Sequence, residues 1–269
     1  MPSDNPNDKP RQNNELDRRE MLQRLKNQKQ QIDRLKRRVD TLESVLSLAW
    51  DDASIRWLFK NRSERMDPTV DFFDADRGEF HLARYRFAAD YVSGKIVADI
   101  ACGTGYGTEL LATAGSAREV VGIDICQEAI DYAIQKHAAP TVRYLCQPGG
   151  STSLPDGSID AVVSFETIEH VDDETGLLDE FARILRPDGM LICSTPNQWP
   201  LDIAPHHLRE YDRQSFLKAL LRRFRDIKLF NQNSGSDFKY NRGQPQGILP
   251  TTAENYAQAE CYLAVCNKK

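Results

Sequence analysis

The sequence has few cysteines and no long apolar run. Only six of its 269 residues are cysteine, and none of these stand in the Cys-x-x-Cys spacing of zinc ligands. We therefore expect reduced cysteines that pack in the interior, no bound metal, and a cytoplasmic location. No apolar run reaches the roughly 18 residues that predict a bilayer-crossing helix, so we expect no membrane span. The polar N-terminus also has no apolar core of the kind that a signal peptide needs.

An overall basic character is also absent. The chain carries a net charge of −5, with 40% hydrophobic and 28% charged residues, which is ordinary for a protein with a buried core. Residues 1–39 carry eleven Lys or Arg and six Asp or Glu, so the remainder has a net charge of −10. An acidic body is a poor match for a polyanion, which argues against nucleic acid as a partner of that body.

The N-terminal part predicts a long helix. Residues 1–13 are polar and predict a disordered tail, and residues 14–49 predict a coiled-coil helix. Apolar residues repeat every seven positions at two sites of the heptad. The first site holds Leu25, Ile32, Val39 and Leu46. The second holds Met21, Leu35, Leu42 and Ala49, with the polar Gln28 in the same register. A helix cannot bury such a stripe alone, so we expect a homo-oligomer or docking on a partner helix. The alternative is a solvated helix that folds back on the body.

The rest of the chain alternates strand and helix patterns. Residues 50–80 form a bridge, and residues 81–269 form one domain of about 190 residues. Seven strands are predicted, at 96–101, 119–125, 141–146, 159–165, 189–195, 226–231 and 260–267. This alternation predicts an α/β fold with a parallel sheet, helices on both faces, and a ligand at the carboxyl ends of the strands.

The first of these strands ends in a glycine loop. Residues 97–107 read Val-Ala-Asp-Ile-Ala-Cys-Gly-Thr-Gly-Tyr-Gly, and a helical pattern follows. Thr108 stands where a dinucleotide-binding loop has its third glycine, and Asp99 would repel a pyrophosphate. Asp124 lies 21 residues after Gly103, about the distance at which a carboxylate on the second strand binds two ribose hydroxyls. A ribose without phosphate on a cationic molecule describes S-adenosylmethionine.

The sequence resembles the class I S-adenosylmethionine-dependent methyltransferases from about residue 81 to its end. Five blocks carry the resemblance in order: the Asp99 glycine loop, the strand end at Asp124, residues 154–170, residues 185–193, and Ser194-Thr-Pro-Asn197. The resemblance implies a Rossmann-like seven-stranded sheet whose last strand is antiparallel. The sequence is similar in particular to methyltransferases of cell-surface polysaccharide synthesis.

The resemblance and the loop chemistry together predict the cofactor site. The expected cofactor-binding residues are Asp99, Ala101, Gly103, Thr104, Gly105, Tyr106, Asp124, Ile125, Gly150, Ser151 and Phe165. The family usually has an acidic residue at position 150, where this chain has glycine. Adenine would then be recognised by backbone groups, Gln147 or Ser151. The helix over residues 81–92 would cap the pocket, with His81, Arg84 or Tyr85 facing it or packing in the core.

Methyl transfer from a sulfonium is an in-line displacement, in which the protein mainly aligns the reactants and excludes water. Aromatic faces suit the sulfonium, and Phe165 and Tyr106 are candidates. An oxygen nucleophile needs a base. The candidate catalytic residues are His170, Glu166, His206 and His207. His170 could instead organise its loop, and the adjacent histidines 206 and 207 are not expected to share a zinc ion.

Four functions remain open from the sequence. The first is O-methylation of a small molecule or glycan, and the second is methylation of a quinone ring, which would need a more apolar pocket. The third is a non-catalytic cofactor-binding scaffold whose coiled coil is the functional part. The fourth is a nucleic-acid methyltransferase that uses the basic N-terminal helix.

Overall fold

A computed structural model describes residues 9–47, 52–62, 65–73, 75–198, 206–234 and 246–269, and within the first helix it describes the side chains of residues 21–42. The chain divides into two compact units, Met1–Arg62 and Ser63–Lys269. The second unit therefore begins before residue 81, where the resemblance starts. No helix in the described part combines the length and apolar composition needed to cross a membrane.

Two helices lie within the described residues of the first unit. Helix α1 spans Lys9–Ser47 and α2 spans Ala53–Lys60. Helix α1 begins inside the segment expected to be a disordered tail, so residues 9–13 are helical, whereas residues 1–8 and 48–49 lie outside the described residues. Helix α2 begins after Asp52, whose Oδ1 accepts a hydrogen bond from the Ser54 backbone N–H at 2.8 Å. This is an ordinary N-cap, which satisfies one of the free donors at a helix start.

The second unit alternates helices and strands as the sequence predicts. Its helices are α3 (Ala75–Ala89), α4 (Tyr106–Thr113), α5 (Gln127–Lys136), α6 (Glu174–Ile184) and α7 (Arg213–Leu220), with a short 3₁₀ helix at Tyr256–Gln258. Its strands are β1 (Ile96–Ile100), β2 (Glu119–Asp124), β3 (Val142–Cys146), β4 (Ile159–Phe165), β5 (Leu185–Pro196), β6 (Phe224–Asn233), β7 (Gly247–Pro250) and β8 (Cys261–Lys268). Four of the six cysteines are buried, Cys126 is half-buried, and Cys146 is exposed.

All eight strands belong to one sheet in the order β3-β2-β1-β4-β5-β8-β6-β7. Strands β1 to β5 are parallel, and β8 is antiparallel to both β5 and β6. The predicted fold class is confirmed, with one difference. Strand β7 is an additional short edge strand antiparallel to β6, and the sequence analysis missed it because four residues carry too little pattern to distinguish a strand from a loop.

Apolar residues fill both faces of the sheet. One core cluster lies under α6 and α7 and includes Ala98 and Ile100 of β1, whereas the other lies under α3 and α4 and includes Val97. Successive side chains of a strand point to opposite faces, so a strand buried on both sides needs a continuous apolar run. Residues 96–100 supply that run except at Asp99, which therefore calls for a separate explanation.

The strand order reverses between β1 and β4. The chain adds β2 and β3 on one side of β1 and then returns to place β4 and β5 on the other side. In open parallel sheets a crevice forms at the carboxyl ends of the strands at this reversal. The loops that follow β1, β2, β4 and β5 therefore meet at one edge.

Candidate functional site

The loop after β1 has the backbone conformation that its glycines predict. Gly103 has a φ of 57° and Gly105 a φ of 90°, both in the left-handed region that favours glycine. Ala101, at the end of β1, also has a positive φ of 63°. A Cβ added at Gly103 would meet nothing within 4 Å, so the loop borders open space at this point and a ligand can approach its backbone.

The other two glycines serve packing rather than ligand approach. A Cβ at Gly105 would lie 2.6 Å from the Cβ of Ala133 on α5, and a Cβ at Gly107 would lie 2.0 Å from the ring of Tyr85. Glycine is therefore required here because neighbouring helices and rings come close to the loop. Of the loop glycines, Gly103 is the one that faces the open side.

Asp124 lies at the end of β2 and holds the loop in place. Its Oδ2 accepts a hydrogen bond from the Gly103 backbone N–H at 2.9 Å, and its Oδ1 accepts one from the Cys126 backbone N–H at 2.9 Å. The guanidinium Nη1 of Arg65 lies 3.4 Å from Oδ2. A buried carboxylate at this position, beside the open face of Gly103, has the acceptor chemistry needed for a ribose diol.

Asp99 lies beneath the loop rather than along its open side. It is fully buried, its Oδ2 accepts a hydrogen bond from the Thr108 hydroxyl at 2.6 Å, and its Oδ1 lies 3.4 Å from the hydroxyl of Tyr85. Burial raises the pKa of Asp99 to about 7, although both hydrogen bonds favour the ionised form. Asp99 thus connects β1, α3 and α4 below the crevice, and Thr108, which replaces a loop glycine, is its partner.

The residues expected near adenine lie around the ends of β2 and β3. Ile125 is 71% exposed although it directly follows the buried Asp124, so it presents an apolar surface at the mouth of the crevice. Gly150 and Ser151 are exposed. The side-chain amide of Gln147 is engaged by Ser153, whose backbone N–H donates to its Oε1 at 2.9 Å, so Gln147 closes its own loop.

Three aromatic rings lie next to one another beside the glycine loop, where the ring of Tyr85 packs against Gly107. The ring of Tyr85 lies edge-on to Tyr106, with ring centroids 5.4 Å apart, and edge-on to Phe165, with centroids 5.0 Å apart. Burial raises the pKa of Tyr85 well above its usual value, so this phenol stays neutral. Tyr106 is half-buried and begins α4, and Phe165 ends β4. Their contact with the sulfonium stays a prediction.

Residues 65–70, which we call the 65–70 segment, contact the glycine loop and α5, although no motif in the sequence predicts a role for them. The hydroxyl of Thr104 in the glycine loop donates to the Met66 carbonyl, so this buried side chain faces the segment. The Oδ2 of Asp67 lies 2.7 Å from Nε2 of His137 and accepts a hydrogen bond from the Tyr132 hydroxyl at 2.8 Å. These contacts attach the segment to the glycine loop and to the end of α5, a long-range pairing that no local pattern indicates.

An ion pair between the buried Arg84 and the half-buried Glu166 joins α3 to the end of β4. Nη1 of Arg84 lies 3.5 Å from Oε1 of Glu166, and its Nε donates to Oε1 of Gln232 at 2.6 Å. Glu166 has a positive φ of 49°, and its Oε1 also accepts a hydrogen bond from the Ser194 hydroxyl at 2.7 Å. Glu166, a candidate base, is therefore held by a cation and a hydroxyl, an arrangement that suits positioning better than proton transfer.

Two of the candidate histidines come together. The rings of His170 and His207 are edge-to-face with centroids 4.8 Å apart, and Nδ1 of His170 lies 3.0 Å from the carbonyl oxygen of His206. Nδ1 of His207 lies 2.8 Å from Oε1 of Glu210. Burial lowers the pKa of His170, which favours its neutral form. The side chain of His206 is exposed, and its backbone carbonyl rather than its ring takes part in this group.

Comparisons with known proteins agree with this geometry. Residues 98–193 match a family model described as a methyltransferase domain. The chain is 32% identical over 147 residues to a probable S-adenosylmethionine-dependent methyltransferase of Mycobacterium tuberculosis, covering 52% of each protein. It is 30% identical over 158 residues to a ubiquinone biosynthesis O-methyltransferase of Xanthomonas oryzae, covering 49% of this chain and 65% of that protein. The chain thus spans about half the length of the mycobacterial relative and less than two thirds of the other.

Solved structures share the fold. A methyltransferase from Archaeoglobus fulgidus matches with a TM-score of 0.56 at 22% identity, covering 72% of this chain and 96% of that one. Another from Mesorhizobium loti matches with a TM-score of 0.53 at 18% identity, covering 71% of this chain and 99% of that one. The aligned architecture is the α/β sheet described above.

Proposed function

We propose that this chain is a class I S-adenosylmethionine-dependent methyltransferase and that it transfers a methyl group from that cofactor to an oxygen atom of a small molecule or glycan. The observation that carries the proposal is the open edge at Gly103 next to the buried carboxylate of Asp124. The relatives are named as S-adenosylmethionine-dependent enzymes, and the donor set at this edge fits that cofactor.

Each part of the cofactor meets a suitable group. Asp124 would accept hydrogen bonds from the ribose hydroxyls, Ile125 would contact the adenine ring, and the backbone of the loop at Gly103 would border the amino-acid end. The cofactor supplies an activated methyl group. The aromatic side chains of Tyr106 and Phe165 offer polarisable faces that stabilise a neighbouring cation without a fixed negative charge.

The acceptor side of the edge is polar. It carries the Arg84–Glu166 pair and the histidines His170 and His207, beyond the ends of β4 and β5. A neutral imidazole near an acceptor hydroxyl can remove its proton, which contributes about 10²–10⁴-fold to the rate. These polar groups favour a hydroxylated acceptor. The specific similarity to enzymes of cell-surface polysaccharide synthesis remains a proposal.

A second candidate function is O-methylation of a quinone precursor. The relatives named as ubiquinone biosynthesis O-methyltransferases favour it, because one of them is 30% identical to this chain over 158 residues. A quinone ring with an isoprenoid tail would require a larger apolar surface on the acceptor side than the ion pair and histidines provide.

The test is a transfer assay on the purified full chain with labelled S-adenosylmethionine. Cell-envelope glycans, hydroxylated small molecules, quinone precursors and RNA are offered in parallel, after cofactor binding has been measured by isothermal titration calorimetry. We expect binding, and transfer to the glycan or small-molecule class with the label in an alkali-stable methyl ether. Transfer only to quinone precursors would establish the second candidate, transfer only to RNA would overturn both, and binding without any transfer would favour the scaffold.

A further inference from the structure

Three potential metal ligands converge beyond the end of β4. Glu169 and His170 belong to the loop between β4 and α6, whereas His207 comes from the segment that precedes α7. One ligand atom from each residue lies within 4.8 Å of the other two. Two imidazoles and one carboxylate form a ligand set typical of divalent transition metal ions.

The carboxylate of Glu169 has an unsatisfied oxygen. The residue is 1% exposed, and its Oε2 lies 3.1 Å from the Thr195 hydroxyl that donates to it. Its Oε1 has no hydrogen-bond partner among the described residues and lies 3.9 Å from Nε2 of His170. A buried carboxylate oxygen without a partner is costly, so this atom calls for a cation.

Both imidazoles are oriented through Nδ1. A carbonyl oxygen only accepts, so Nδ1 of His170 donates to the His206 carbonyl and its Nε2 carries the lone pair. His207 has the carboxylate of Glu210 at its Nδ1. Metal-binding histidines usually donate their second ring N–H to a carboxylate or a backbone carbonyl, which fixes the ring and raises its basicity. Both arrangements are present here.

The two segments that supply the ligands are joined by backbone contacts. Nη1 of Arg209 donates to the Ile168 carbonyl at 2.9 Å and also to the Val171 carbonyl, and its Nη2 donates to the Asp172 carbonyl at 2.8 Å. The Leu208 N–H donates to the Glu169 carbonyl at 2.8 Å. The frame around the cluster is thus built independently of the three ligand side chains.

We propose that Glu169, His170 and His207 bind one divalent transition metal ion of the Zn²⁺ class. Ligand atoms of a zinc ion lie about 2.0–2.2 Å from the metal, so the three atoms, which lie within 4.8 Å of one another, would move closer together on binding. The prediction of no metal considered the adjacent pair His206 and His207. Only His207 belongs to the site, and its partners His170 and Glu169 lie 37 and 38 residues earlier in the chain.

Three protein ligands leave at least one coordination position for an outside oxygen. The site lies past the ends of β4 and β5, on the acceptor side of the crevice. An ion there would lower the pKa of a bound hydroxyl and orient it, and His170 and His207 would then serve as its ligands in place of the role as base considered above. This consequence rests on the proposed methyl transfer, whereas binding of the ion does not.

The test is a Zn²⁺ titration of the full chain after chelator treatment, by calorimetry and by elemental analysis of the dialysed protein. We expect one ion per chain. Loss of a residue that only orients a metal ligand typically weakens metal affinity by about 10–100-fold, and Glu210→Gln should weaken Zn²⁺ affinity within that range. His170→Ala, His207→Ala and Glu169→Gln each remove a ligand and should weaken Zn²⁺ affinity by more. Each variant must keep the circular dichroism spectrum and the S-adenosylmethionine affinity of the parent chain, which separates this test from failure of the proposed function.

His206→Ala is the matched control, because it removes a neighbouring imidazole and keeps the carbonyl that orients His170. Cys126→Ser is a second control, against adventitious binding at a thiol. Both should bind Zn²⁺ like the parent chain. Absence of stoichiometric binding to the parent chain, or parental affinity in a folded chain that carries the Glu169, His170 and His207 substitutions together, would overturn the proposal.

Discussion

At the scale of single residues, the two aspartates of the sequence signature have different environments. Asp124 lies beside the open face of the loop, where it bonds the Gly103 N–H. Asp99 is enclosed by Thr108 and Tyr85 below the loop, and burial raises its pKa to about 7. Both aspartates follow from the same kind of pattern, an apolar run that ends in a carboxylate. Their positions relative to the loop explain why one suits ligand contact and the other suits support.

The residue-scale prediction concerns Asp124. Asp124→Ala should weaken S-adenosylmethionine binding by about 1.5–3 kcal/mol, the loss expected for hydrogen bonds to a charged group. Isothermal titration calorimetry measures it. Asp131→Ala is the matched control, because this carboxylate is exposed on α5 and accepts a hydrogen bond from Gln127 alone among the contacts described. The S-adenosylmethionine affinity of this variant should equal that of the parent chain. An unchanged dissociation constant in Asp124→Ala would show that the ribose assignment is wrong.

At the scale of elements, the 65–70 segment is attached to α5 through a buried charge cluster. Burial lowers the pKa of His137, but its hydrogen bonds to Asp67 and Glu109 outweigh burial and raise it. Burial raises the pKa of Asp67, but hydrogen bonds from His137 and Thr69 outweigh burial and lower it. When His137 is protonated, both ring N–H groups donate to carboxylates. The attachment therefore depends on pH.

The element-scale prediction follows from these directions. A raised folded-state pKa of His137 stabilises the fold below its unfolded value of about 6.5, and this contribution is lost as the pH rises through the folded-state value. The lowered folded-state pKa of Asp67 stabilises the fold above about pH 3.9, its unfolded value. This contribution is lost as the pH falls through the folded-state value. His137→Gln should therefore cost most near pH 5.5, about 3–5 kcal/mol of unfolding free energy, and less at pH 9.

Urea unfolding at several pH values measures this difference. Glu109→Gln serves as the comparison, because the Glu109 side chain is 40% exposed and its ion pair is screened by water. It should cost less than His137→Gln at every pH. A cost of His137→Gln that does not change with pH would mean that the ring acts through packing rather than through its charge.

At the scale of the whole molecule, the chain combines a compact α/β unit with a separate helical unit. Along α1 the apolar seam residues within the described side chains are about half exposed, with Leu25 at 52%, Ile32 at 51% and Val39 at 50%. A stripe of this kind over several heptads is typical of a helix that pairs with another helix. Association through the coiled coil stays a prediction, and a second copy of the chain is the partner that we expect.

The molecule-scale prediction is that deletion of residues 1–48 lowers the oligomeric state and leaves S-adenosylmethionine affinity unchanged. Light scattering gives the mass and calorimetry gives the affinity. In the full-length chain, Leu35→Glu should also lower the mass because it places a charge on the seam. Arg34→Glu, one residue away and off the seam, should not. An unchanged mass in both the truncation and Leu35→Glu would rule out the coiled coil as the means of association.

The sequence alone determined the strand–helix alternation, the glycine loop and the position of Asp124, because these depend on local periodicity and on residue types at short spacing. Tertiary structure decided the rest. Whether a glycine faces a ligand or a ring depends on what packs against it, as Gly103 and Gly107 show. The pairing of Asp67 with His137, and of Glu169 and His170 with His207, joins segments that are distant along the chain. Such contacts arise only when the sheet brings strand ends and loops to one edge, and no local pattern encodes them.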